Sequence, residues 1–340
     1  MSSTPDNSLC LCSAKNDKKT AAGKHTGRVL CFAAVLSFLI FDLAYMWQGN
    51  MAVHAQTPGV AATSQQSSTA LLQALLPMME NPRNPLLEIS SSEGDIYLEL
   101  FPDAAPLNVR RVLELVNGQL APSSAGSYYN GLTFHRVIPG HFLQTGAAER
   151  ADRMRPAPIA DEINARGLGL EQQRLLDAAG KPHSMMNIAD LADFQSRVLS
   201  PLYRNMNINS PDQLIAQQER VTQRLRDTNL MQIHELAGYR YNGALPSRRP
   251  LSGSVMMVNR GPGTNDGELL LSLVDAPWLT ATHTVIGRVV SGLTLATSIS
   301  RQPEASVRIY HIHQLDTSSV VINATDTSTL ENNNNVQIQP

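Results

Sequence analysis

The sequence predicts a mainly β fold, a barrel of short strands interrupted by a helical insertion. Short alternating or apolar segments recur through residues 84–316, separated by Gly, Pro and Asn clusters. Few amphipathic helices lie among them, the pattern of an all-β barrel. One stretch, 167–250, stands apart because it is rich in Gln, Arg, Leu and Ala and carries helical signals instead.

In chain order, LLEIS followed by Glu93-Gly94 and DIYLELF predicts a hairpin, with Ile96, Leu98 and Leu100 alternating against Tyr97, Glu99 and Phe101. Pro106 suits the first position of a helix. In that helix Val109, Val112, Leu113 and Val116 fall on one face before Gly118 ends it. Strands are expected at 132–137, 142–144, 254–258, 269–274, 284–289 and 307–312. Ser210-Pro211-Asp212 is an N-terminal signal for a long helix running to Gly238, with Leu214, Val221 and Leu225 on one side. That pattern fits a solvated helix on a small bundle of its own; the alternative is a docking arm for a protein partner.

The termini follow different rules. Residues 1–28 carry Lys15, Lys18, Lys19, Lys24 and Arg28 against Asp6 and Asp17, and an apolar run then begins at Val29. Ended at Asp42, the run is a signal-peptide core, with Val53-His54-Ala55 as a cleavage site. Extended over 29–47 it nearly spans a bilayer, with Tyr45 and Trp47 as interfacial anchors. Both alternatives stay open, and the long basic segment favours an uncleaved anchor. Residues 48–81 predict a flexible linker with a short helix near its end, 82–317 the folded domain containing the 167–250 insertion, and 318–340 a disordered tail. The domain is expected either anchored at an inner membrane facing the periplasm or, if the signal is cleaved near Ala55, secreted to the periplasm.

Composition removes several function classes. Among 340 residues 42% are hydrophobic and 16% charged, enough for a real core. The net charge of −2 supplies no basic field for nucleic acid. Cys10, Cys12 and Cys31 all precede the predicted domain, so disulfides, cysteine nucleophiles and zinc-cysteine sites are not expected there. The loop Gly261-Pro262-Gly263-Thr264-Asn265-Asp266-Gly267 lacks the Lys-Ser/Thr ending of a phosphate loop. His311 and His313 share one strand face, but with no carboxylate or cysteine nearby in sequence they do not make a metal site. No cofactor or metal is expected.

The segment FHRVIPGHFLQTG (134–146) resembles the signature of the cyclophilin-type peptidyl-prolyl isomerases. MMVNRGPGTNDGELLLSL (256–273), WLTATHTVIGRVVSG (278–292) and GDIYLELFPDAAPLNVRRVLELV (94–116) extend the resemblance over most of 84–316 outside the insertion. The resemblance implies a closed eight-stranded antiparallel barrel capped by two helices, with proline-containing segments of unfolded or exported proteins bound across its outer face. It implies Arg136 as the catalytic donor to the prolyl nitrogen, with Gln144 and Asn259 orienting the arginine and binding substrate backbone. Phe142, Leu270, Leu279 and His283 match positions around the proline pocket, and Trp278 its edge. His141, Val258, Glu268 and Leu270 occupy pocket positions with residues the family does not usually place there.

Peptide-bond rotation is resisted by ~18–20 kcal/mol because nitrogen shares its lone pair with the carbonyl. A donor aimed at that nitrogen, above an apolar hold on the ring, lowers the barrier with no nucleophile, metal or cofactor. Glu268 poses the open question: its carboxylate either pairs with Arg136 and diverts it, or fixes its orientation. The departures therefore leave a second possibility, a peptide-binding or assembly module at the membrane with weak or absent turnover.

Overall fold

Alternation in the first hairpin sets the interior. Strand β1 (Leu86–Ser91) pairs antiparallel with β2 (Gly94–Leu100) from Leu86 opposite Glu99 to Ser91 opposite Gly94. Period-2 geometry turns Leu87, Ile89, Ile96, Leu98 and Leu100 into the core and leaves Glu88 and Tyr97 on the outer face. The computed structural model describes residues 68–120, 126–147 and 154–318. The basic segment 1–28, the apolar run 29–47, the cysteines, linker residues 48–67 and the tail from 319 lie outside the described residues. Among the described residues no helix is long and apolar enough to cross a membrane.

The remaining strands are β3 (Arg136–Ile138), β4 (Phe142–Thr145), β5 (Ser254–Met257), β6 (Leu269–Ser272), β7 (Val285–Ser291) and β8 (Ile309–Leu315). They form one antiparallel sheet in the order β3-β4-β6-β5-β7-β2-β1-β8. The sheet curls until its two ends meet. The meeting is a seam of irregular bonds, not a β3–β8 ladder: Gly131 N–H donates to Ile309 O, Ile309 N–H to Leu132 O, and Phe134 N–H to Val307 O. The strand expected over 132–137 is accordingly divided between that seam and β3.

Helix α1 (Pro106–Val116) sets Val109, Val112, Leu115 and Val116 into the sheet's concave face. Its N-cap, Ala105, has no side chain able to cap. Glu162 caps it from far along the chain, accepting from Leu107 N–H at 3.0 Å and from Asn108 N–H at 2.9 Å, a carboxylate placed where the helix dipole favours negative charge.

The expected long helix from Ser210 to Gly238 is three helices. The insertion holds α2 (Leu191–Phe194), then a π-turn, α3 (Ser200–Asn205), α4 (Pro211–Ala216), α5 (Gln218–Asp227) and α6 (Leu230–Leu236). Ser210 caps α4 as its sequence implies. Gln217 then leaves helical dihedrals, Thr228 is extended, and Asn229 with Gln232 forms a fresh capping box for α6. Leu214, Val221 and Leu225 do share one side, packed with Leu202 and Ile208 in a small core. A second insertion core gathers Leu170, Leu175, Val198, Leu230 and Ile233, and Ala281 of the barrel joins it.

Helix α7 (Leu293–Ile299) closes the other end of the barrel through Ala296 and Ile299. Before β1, residues 68–75 are helical, and Leu72, Leu75, Leu76 and Met79 pack on Leu86 and Val290. Beneath them Glu99, fully buried, accepts from Glu80 N–H, Asn81 N–H, Asn84 Nδ2 and Arg288 Nε at 2.9–3.1 Å. Gly287 on β7 faces this point closely. A Cβ there would stand 2.3 Å from Glu99 O, so only glycine fits.

Candidate active site

Register builds the site. Arg136 on β3 is opposite Gln144 on β4, Gln144 is opposite Leu270 on β6, and Leu270 is opposite Met256 on β5. Four strands thus contribute one cross-strand row. Alternation sends Val255, Met257, Leu269 and Leu271 into the core and Met256 and Leu270 to the opposite face. There they join Val285, Phe142, Val258 and Leu279 in a separate apolar cluster. The groove floor is therefore the outer counterpart of the barrel core.

Above this floor lies a hollow of about 210 Å³ lined by Arg136, Ile138, Phe142, Gln144, Val258, Asn259, Leu270, Leu279 and His283. That is smaller than the ~300–1,000 Å³ typical of cofactor or drug-sized pockets, and suits one ring-sized side chain. Trp278 meets Phe142 edge-on, ring centroids 6.5 Å apart at 87°. His141 lies outside the lining: it is exposed, its Nδ1 3.0 Å from Pro139 O. Ile138 was not singled out from the sequence, although its alternation with Arg136 on β3 marked it.

Glu268 neither pairs with Arg136 nor orients it by a direct bidentate contact. It is buried behind Gln144 and accepts from Gln144 Nε2 at 2.9 Å. Its other oxygen pairs with Arg155 Nη2 at 2.9 Å and more distantly with Arg260 Nη1 at 3.7 Å. The same two arginines reach buried Asp266, Arg260 at 2.7 Å and Arg155 at 3.6 Å. Two carboxylates are thus balanced by two guanidiniums without recruiting Arg136. Among the described residues Arg136 forms no ion pair; Nη1 makes a long 3.5 Å contact to Gln144 Oε1. Glu268 acts on it through the Gln144 amide, fixing which end faces the arginine. Arg260 follows Asn259 directly and was within reach of the motif. Arg155 was not, because its partner is more than a hundred residues away.

The loops beside the hollow are tied down by polar contacts. Asn259 Nδ2 donates to Thr282 O at 2.7 Å, and Thr282 Oγ1 lies 2.9 Å from His283 Nδ1. Buried Asn265 donates to Asn108 Oδ1 at 3.0 Å and to Thr284 Oγ1 at 3.3 Å. Thr284 Oγ1 also accepts from Glu162 N–H. The insertion braces the same segment, since Tyr241 Oη donates to Ala281 O at 3.0 Å. Burial holds the His283 imidazole down to about 4, so it is neutral near pH 7.

A family model described as cyclophilin type peptidyl-prolyl cis-trans isomerase/CLD matches residues 86–315. A peptidyl-prolyl cis-trans isomerase of Schizosaccharomyces pombe is 46% identical over 209 residues, 62% of this chain and 81% of that protein. A probable peptidyl-prolyl cis-trans isomerase of Brucella suis is 41% identical over 66 residues, and the match spans 19% of this chain and 29% of that protein's length. The solved structure of a Cryptosporidium parvum cyclophilin type isomerase, determined in the presence of the dipeptide Ala-Pro, aligns with a TM-score of 0.38 at 13% identity. It covers 68% of this chain and 99% of that one.

Proposed function

This chain belongs to the cyclophilin-type peptidyl-prolyl cis-trans isomerase family, and from that premise we propose that it is an active isomerase whose groove turns over X-Pro bonds. The observation that carries the proposal is the row of Arg136, Gln144 and Leu270: a guanidinium that forms no ion pair among the described residues stands beside an apolar floor. The prolyl ring lies on Leu270, Phe142 and Leu279. Arg136 donates to the prolyl nitrogen, withdrawing its lone pair from resonance, and the preceding carbonyl rotates while the ring stays fixed. Gln144 positions Arg136, with its amide oriented in turn by Glu268. Asn259 holds the loop that borders the substrate backbone.

Exchange NMR of an Ala-Pro peptide with the full-length chain tests this. Cis/trans exchange, which takes tens to hundreds of seconds unaided, is expected to accelerate at catalytic protein concentration; an unchanged rate refutes turnover. Repeated across pH, the same measurement reads His283. Its conjugate acid forms only as pH falls toward about 4, so catalysis is expected to hold level from pH 8 to about 5 and then decline as a cation enters the apolar groove. A decline centred near the ordinary imidazole value of ~6.5 contradicts a buried His283.

The basic segment 1–28 and the apolar run 29–47 support a location outside the cytoplasm, where exported, incompletely folded chains supply the proline segments. Protease added to intact spheroplasts is expected to degrade the domain or to find it already released. Protection until lysis overturns this location.

A further inference from the structure

We propose that Glu88, His311 and His313 form a binding site for a borderline divalent transition-metal ion of the zinc class, on the outer face of the barrel and at the far end of the strand order from the groove. The two histidines lacked a third ligand in their own stretch of sequence. Register supplies it: β1 pairs with β8 so that Glu88 is directly opposite His313, with His311 two residues away on the same face. The three ligand atoms lie within 4.8 Å of one another. His313 Nε2 is 3.2 Å from Glu88 Oε2, close to the ~3.3 Å edge of a tetrahedron built on Zn–N and Zn–O bonds of ~2.0–2.1 Å. Turning the His311 ring about its side-chain torsions closes the remaining distance.

One further contact prepares the cluster. Tyr97 Oη donates to Glu88 Oε1 at 2.9 Å, which fixes the carboxylate with its other oxygen toward the histidines, as outer partners of metal ligands do. His313 Nδ1 is buried with no hydrogen-bond partner among the described residues, and Nε2 is the ring atom that meets Glu88. An ion pair between Glu88 and His313 leaves His311 unexplained. Its ring lies against that of His313, centroids 4.9 Å apart at 49°, where a shared cation binds both. Two imidazoles and one carboxylate suit Zn²⁺, Ni²⁺ or Cu²⁺; Ca²⁺ and Mg²⁺ require more oxygen ligands. All three side chains are only partly buried, so an ion and its completing waters have access. Bound there, the ion clamps the last strand of the domain to the first, and it stabilises the fold because the unfolded chain has no such site.

Titration calorimetry and thermal unfolding of the full-length chain with Zn²⁺ test the site. The variant H311Q/H313Q is expected to bind one equivalent fewer than the wild type and to lose the Zn²⁺-dependent rise in Tm. Both proteins retain Cys10, Cys12 and Cys31, so any binding by those thiols cancels in the difference. Equal stoichiometry and an equal Tm rise in both overturn the proposal. If circular dichroism shows the double variant unfolded, E88Q decides: affinity for that equivalent at least about tenfold weaker supports the site, and unchanged affinity refutes it.

Discussion

Arg136→Ala is expected to lower kcat/KM for an Ala-Pro peptide by about 10²–10³-fold, or ~2.7–4 kcal/mol of transition-state stabilisation, the range for removing one directed donor to developing charge. The loss concentrates in kcat, because the ring is held by Leu270, Phe142 and Leu279 and the donor matters most when the nitrogen lone pair leaves conjugation. Arg136→Lys recovers little: an ammonium on a flexible stem lacks the planar fork that fits between Gln144 and a substrate nitrogen. The side chain is exposed and its hydrogen-bonding contact among the described residues is the long 3.5 Å approach to Gln144, so the unfolding midpoint of both variants should match the wild type. Exchange NMR on variants of verified fold measures the effect. Activity within a factor of about 3 of wild type would remove Arg136 from the catalytic role.

Glu99→Ala carries the largest expected effect on stability. The carboxylate is fully buried and satisfies four donors at once: two backbone N–H groups, the Asn84 amide and the Arg288 guanidinium. Truncation strands the three neutral donors and leaves Arg288, among the described residues, with only the longer 3.5 Å ion pair to exposed Glu80, a loss of about 3–5 kcal/mol. Whole domains are typically stable by only ~5–15 kcal/mol, so the variant approaches the edge of folding. Urea titration is the measurement, with the midpoint lowered and the slope unchanged. Residues 68–81, which lie over this network, should loosen first and show faster amide exchange there. A loss below about 1 kcal/mol would mean that water replaces the missing oxygens.

The β1–β2 hairpin and α1 were legible in the sequence because each rests on short-range periodicity and a local signal, the Glu93-Gly94 turn or Pro106 at the first helical position, which a single segment carries by itself. Most groove residues were legible for another reason. Arg136, Gln144, Asn259, Leu270, Leu279 and His283 fall in motifs whose resemblance to the cyclophilins specifies their neighbourhood, and the structure brings them together. His141 kept its place in the motif but not in the groove. The helix expected to reach Gly238 is cut at Gln217 and Thr228: the pieces bearing Leu214 and Val221 share one small core, whereas Leu230 and Ile233 of the last piece turn into the other.

What the sequence determined alone was the antiparallel β architecture, the presence of an insertion and the residue types available to the groove. Tertiary structure alone decided that Glu268 is neutralised by Arg155 and Arg260, that Glu162 caps α1, that Glu88 meets two histidines, and that the barrel closes through a seam. Each of these depends on which charges or backbone groups share a low-dielectric space after the chain has folded back on itself. Period and propensity describe neighbours a few residues apart; a buried carboxylate's role is set by donors that only packing brings within 3 Å.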